Sequence, residues 1–186
     1  RRPGGVAPVR GGHARAASFP GLFVCVEKVS NLYRILMLCR DYGRGALGRL
    51  VIVTRPHLAA RLAKEATAFR YKFPGEDHAV GAVLTIEGAS ARLSGVERIV
   101  AVDLHAGASV LAAREGPAHR VLRGAGALIL GFESDGIPAP LLDGATAYVQ
   151  IQSRTSLNLA ASMSIVMHCM AWVPVAAGSE EAALQT

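Results

Sequence analysis

Three stretches carry side chains from which a binding or catalytic site could be built. "GFESDGIP" (Gly131 to Pro138) follows an apolar run and presents Gly131, Glu133, Asp135 and Gly136. Glycines let a backbone approach a ligand closely, and a carboxylate at such a turn can accept hydrogen bonds from a ligand or from the next helix. Taken alone, the stretch also reads as an ordinary strand-to-helix turn. "SRTSLNLAAS" (Ser153 to Ser162) places Ser156 as a helix cap and Asn158 in the first turn. Free amides at a helix start can bind a carboxylate or phosphate, although simple capping explains the same residues. "SNLYRILMLCRDYG" (Ser30 to Gly43) opens on a cap, Ser30-Asn31, and closes on Gly43. Its apolar body is interrupted by Arg34 and Arg40, two cations on an otherwise buried-looking helix.

The elements that must position these residues follow from hydrophobic pattern. β-rich runs predict strands at Leu22 to Val29, Gly48 to Thr54, within 79–88, at Glu97 to Leu104, at Gly126 to Phe132 and at Ala147 to Ser153. Helices are predicted from Ser30, over "RPHLAARLAKEATAF" with Pro56 in its first turn, over "ASARLSG", and from near Ser156. Arg70 to Asp77 reads as a loop. Apolar strands alternating with helices indicate an α/β fold, a parallel sheet covered on both faces. Ligands in such folds bind beyond the carboxyl ends of the strands. The loops after Leu104, Leu130 and Ser153 are therefore the ones of interest. "LAASMSIVMHCMAWVPV" is apolar enough to raise a membrane span, but it contains Ser162, Ser164 and His168 and is barely long enough. A buried or dimer-facing helix is the preferred reading, because Ala160, Ala161, Ser162 and Ser164 permit close packing.

The chain has 186 residues, enough for one domain with a substantial core. Apolar residues make up 51% and charged residues 18%, which excludes a disordered chain. Residues 1–74 hold 14 Lys and Arg against 3 Asp and Glu, a charge of +11, and the remainder holds 6 against 11, or −5. A basic first half suits a polyanion such as RNA; arginine enrichment also follows from GC-rich coding. Cys25, Cys39 and Cys169 lie far apart with no CxxC, so they read as free thiols of a reducing compartment and not as a disulfide frame or metal site. Residues 1–20 contain four arginines and no acid, and read as a basic extension, either a mitochondrial transit remnant or a linker. The main domain spans 21–175, and 176–186 is a polar tail. Location is expected to be mitochondrial, or otherwise cytoplasmic.

In combination, the three stretches resemble the SpoU/TrmH branch of the SPOUT superfamily, RNA ribose methyltransferases. Asn31 and Gly43 match the first motif. Gly131, Glu133, Gly136 and Ile137 match the second, and Ser156, Leu157 and Asn158 the third. The resemblance implies a C-terminal trefoil knot and S-adenosylmethionine as cofactor. The cofactor would be held by segments that include Leu104, Leu130, Gly131, Gly136, Ile137, Ile151 and Leu157. It also implies RNA (rRNA or tRNA) as substrate and a dimer, either a homodimer or a heterodimer with a paralogue, formed near the first and last helices.

The implied chemistry is methyl transfer to a ribose 2′-hydroxyl, a poor nucleophile that needs activation. The implied catalytic set is Asn31, Glu133, Ser156 and Asn158 with an arginine six residues after Asn31. That position holds Met37. Arg34 and Arg40 lie three residues to either side, about 60° around a helix from it, and Arg40 is the preferred substitute. The third motif also departs from the family, with Gln152 where a proline is expected and no preceding glycine. The alternative function is a catalytically lapsed relative that binds RNA or a partner subunit, as in a ribosomal assembly particle.

Overall fold

The computed structural model describes residues 21–41, 49–72, 80–103, 108–111, 116–153 and 157–171. The basic extension, the polar tail, Gly43, Leu104 and Ser156 lie outside the described residues. Along the chain run β1 (Gly21–Cys25), α1 (Val29–Asp41), β2 (Leu50–Thr54), α2 (Pro56–Lys72), β3 (Ala82–Thr85), α3 (Ile86–Leu93) and β4 (Ile99–Val102). They are followed by β5 (Ser109–Leu111), α4 (Pro117–Arg123), β6 (Ala127–Leu130), α5 (Ala139–Leu142), β7 (Ala147–Ile151) and α6 (Leu159–Ala171).

The strands form one sheet in the order β3-β2-β1-β6-β4-β7-β5, and every neighbouring pair is parallel. Alternate strand residues feed two separate cores, as the two-residue period of a strand requires. Leu22, Val24, Leu50, Ile52, Leu128 and Leu130 face one side, with Leu32, Ile35, Leu62, Phe69, Leu122 and Met167 from α1, α2, α4 and α6. Phe23, Cys25, Val51, Val53, Ala127 and Ile129 face the other, with Ala89 and Leu93 of α3 and Leu141 of α5. The sheet is thus the expected parallel one, buried on both faces.

Several element boundaries differ from the pattern reading, each for a local reason. The first strand stops at Cys25 instead of running to Val29. Val26 still bonds to β2 through Val53 O (2.8 Å), but Lys28 O then accepts from Asn31 N and Leu32 N, which starts α1. The run within 79–88 is strand only to Thr85, whose hydroxyl accepts from Gly88 N and caps α3. Helix α2 continues to Lys72, through residues expected as loop. β5, α4 and α5 have 3, 7 and 4 residues, too short to show a period. Helix α6 has 13 residues, and no described helix is long and apolar enough to cross a membrane.

The three free cysteines sit as their apolar surroundings suggested. Cys25 and Cys39 are buried, Cys169 is half-buried, and burial pushes the first two thiols up to about 12. They remain protonated at neutral pH and are poor nucleophiles. Among the described residues, no group of three or more His, Cys, Asp or Glu is placed to hold a metal ion.

Candidate active site

The sheet order sets the carboxyl ends of β1, β6, β4 and β7 side by side, so the loops that leave them share one rim. At that rim the chain leaving β6 folds back on itself. Phe132 N donates to Gly136 O (2.8 Å) and Gly136 N donates to Phe132 O (3.1 Å). Gly136 has φ +72°, a conformation that side chains rarely adopt. Gly131 lies directly beneath the turn. A Cβ there would stand 2.2 Å from the carbonyl carbon of Gly136 and 2.5 Å from Ile137 N.

Beside this turn is a cleft of about 440 Å³, walled by the ends of β4, β6 and β7 and by the start of α6. Six of the seven residues expected to hold a cofactor line it: Leu130, Gly131, Gly136, Ile137, Ile151 and Leu157. The seventh, Leu104, is outside the described residues, but Val102 and Asp103 of the same strand end are in the wall. The volume suits a ligand of nucleoside size. The donor set suits S-adenosylmethionine: apolar side chains for a heteroaromatic ring, backbone freed by two glycines, and the carboxylates Glu133 and Asp103 for cationic groups.

Glu133 joins three parts of the chain. Its Oε1 accepts from Leu159 N at the start of α6 (3.4 Å) and its Oε2 from Lys28 Nζ (3.2 Å) in the loop before α1. Desolvation opposes its ionisation, but Asn31, Lys28 and the Leu159 amide outweigh it and hold the carboxyl below its ordinary value. The residue is exposed through its backbone, whereas its side chain is only 21% exposed. Asn31 is 4% exposed, and its Nδ2 has no hydrogen-bond acceptor. That amide is near enough to favour the charged carboxylate but outside hydrogen-bonding geometry. Asn31 lines neither hollow, so its amide faces the Glu133 carboxylate and not the cleft.

Asn158 caps α6. Its Oδ1 accepts from Ala161 N (2.8 Å), and its carbonyl accepts from Ser162 N (3.0 Å). The helix therefore begins at Leu159, three residues beyond the expected Ser156, which lies outside the described residues. Asn158 also borders a shallow groove between α1 and α6, shared with Tyr33, Arg34, Met37, Leu38 and Asp41. Arg34, and not the preferred Arg40, thus lies beside Met37 in this groove. Arg40 Nε and Nη2 bond to Asp41 Oδ1 at 2.9 and 2.8 Å, and Arg40 lines neither hollow.

The departure at Gln152 has a physical account. Its N–H donates to Leu111 O (3.2 Å), extending the pairing of β7 with edge strand β5. Proline has no such donor. Sequence pattern did not single out Lys28, Arg55 or Asp103. Lys28 precedes Asn31 by three residues, and Arg55 follows β2, whose end meets the same rim, but no spacing marks either as a partner of the 132–136 turn.

No family model matches the sequence, and neither does any curated protein. Solved structures do match. TrmJ from Z. mobilis ZM4 is 15% identical, with a TM-score of 0.54 over 89% of this chain and 75% of that one. The rRNA methyltransferase from Sinorhizobium meliloti is 20% identical, with a TM-score of 0.56 over 84% of this chain and 57% of that one. The A. aeolicus TrmH/SpoU tRNA modifying enzyme is 13% identical, with a TM-score of 0.54 over 83% and 74%. The chain therefore shares the α/β fold of these proteins, and it spans little more than half the length of the Sinorhizobium protein.

Proposed function

We propose that this chain is a SpoU/TrmH-type RNA methyltransferase that uses S-adenosylmethionine to methylate ribose 2′-hydroxyls. The cleft carries the proposal: six residues expected from motif resemblance line one hollow beside Glu133. The trefoil threading implied by the resemblance belongs to the same proposal.

S-adenosylmethionine supplies an electrophilic methyl on a sulfonium. The protein's part is then mainly alignment and exclusion of water. The Gly131–Ile137 turn and the β7–α6 segment form the walls of the cleft. Glu133 ties the starts of α1 and α6 together and keeps a negative charge at the rim. A carboxylate whose pKa is depressed is a weak base, so its role is to hold Asn31 and Lys28 in place and not to take the hydroxyl proton. Asn31, buried at the start of α1, faces the Glu133 carboxylate and sets the first helix against the turn. Arg34 is the cation beside Met37 in the α1–α6 groove, and the small residues Ala160, Ala161 and Ser164 there suit contact with a second subunit.

A second reading rests on Met37. Methionine neither polarises a hydroxyl nor holds a phosphate, and a chain without that arginine could bind RNA or a partner subunit without catalysis. Isothermal titration with S-adenosylmethionine tests the cofactor site. The expected result is one site per chain with a Kd between roughly 1 μM and 1 mM. Absence of binding at millimolar cofactor would rule out the enzyme.

A further inference from the structure

The residues of the cleft turn are each fastened from outside β6. Phe132 lies under the Arg55 guanidinium, 5.2 Å from its ring centroid. Glu133 takes Lys28, and Ser134 Oγ donates to Glu27 Oε2 at 2.9 Å. Asp135 accepts from Arg55 Nη2. All these anchors come from the segments that follow β1 and β2. Glu27 and Lys28 each hold one turn residue, whereas Arg55 holds two. A planar guanidinium can stack on a ring while donating in its own plane to a carboxylate, and an ammonium cannot do both. The partners differ in setting: Phe132 is buried, while the Asp135 side chain is 61% exposed. An exposed ion pair alone contributes little. Joined to a buried ring, it ties the outer end of the turn to its inner end.

We propose that Arg55 is a positioning residue of the cleft. It acts through Phe132 and Asp135 to fix the turn whose backbone forms one wall, and so sets ligand affinity and not the chemical step. The identity of the ligand rests on the proposed S-adenosylmethionine site; the order of the turn does not.

The experiment compares the wild-type chain with Arg55→Met and Arg55→Lys. Amide hydrogen exchange without ligand reads the turn through the bonded N–H groups of Phe132 and Gly136. Loss of the stacking and the ion pair should speed their exchange about five- to tenfold in Arg55→Met, with an intermediate value in Arg55→Lys. Exchange in β1 and β6 should stay unchanged. The S-adenosylmethionine Kd should rise by a similar factor, with kcat within about twofold of wild type. Unchanged turn exchange in Arg55→Met would overturn the proposal. So would faster exchange throughout the sheet, which would assign Arg55 to general stability. If the wild-type chain bound no cofactor, the cofactor reading would fall, and the exchange result would still decide the role of Arg55.

Discussion

Glu133→Gln is expected to lower methyl transfer by at least about 100-fold, the scale seen when a preorganised polar group at a reacting centre is lost. The amide keeps the shape of the side chain and can still accept from Leu159 N, so α6 keeps its start. What it removes is the anion that Lys28 and Asn31 face. Circular dichroism and thermal melting should therefore stay near wild type while single-turnover transfer collapses. The pH dependence has a definite sign. Because Asn31, Lys28 and the Leu159 amide hold the folded pKa below its ordinary value, the working anion persists to lower pH than a free glutamate's would. It is lost only as pH falls through the lower folded value. The stabilisation from this group is likewise fully present above the unfolded pKa and is lost as pH drops through the folded one. A rate that falls already near neutral pH, with its midpoint moved by Glu133→Gln, would contradict this assignment.

Gly131→Ala is the second large effect, and it acts on the fold of the cleft itself. The added Cβ would meet backbone atoms at 2.2 and 2.5 Å, which no rotamer change can relieve. Forced overpacking against backbone should cost about 2–4 kcal/mol. For a chain of this size that lowers Tm by roughly 5–12 °C. Cofactor binding should fall further than stability, because the displaced segment is the cleft wall. Gly136→Ala is expected to be milder. Its nearest contact would be Asp103 Oδ2 at 3.8 Å, so the cost is the left-handed backbone alone, about 1–2 kcal/mol. Equal losses in the two variants would show that conformation, and not the close approach at Gly131, limits this turn.

The parallel sheet was legible from Leu22, Val51, Ile99, Leu128 and their neighbours, because a strand buried on both faces must be apolar at nearly every position. The cleft was legible only through the resemblance carried by Gly131, Glu133, Gly136 and Ile137 together with the other two stretches; taken alone, the turn reads as an ordinary strand-to-helix connection. Four features were not legible, each for a physical reason. β5 is three residues long and is completed by Gln152 N–H, a contact across the sheet that no local pattern encodes. Asn158 caps α6, whereas the pattern offered Ser156, which lies outside the described residues, as an equally good cap. The placement of Arg34 and Arg40 depended on how α1 meets α6. Counting 60° to either side of Met37 treats the two arginines as equivalent, whereas the packing sets Arg34 in the groove and Arg40 on Asp41. Arg55 shows the same limit: its partners Phe132 and Asp135 lie far away in sequence, and only the adjacency of strand ends brings them together.

Ribose methylation by this cleft can be read by incubating the chain with methyl-labelled S-adenosylmethionine and RNA, digesting the RNA to nucleosides and identifying the labelled product. The expected label is on a 2′-O-methyl nucleoside, lost in Glu133→Gln. Label on a base would contradict the ribose assignment. Cofactor binding with no label on any RNA tested, rRNA and tRNA included, would contradict catalysis and leave Met37 as the mark of a lapsed relative.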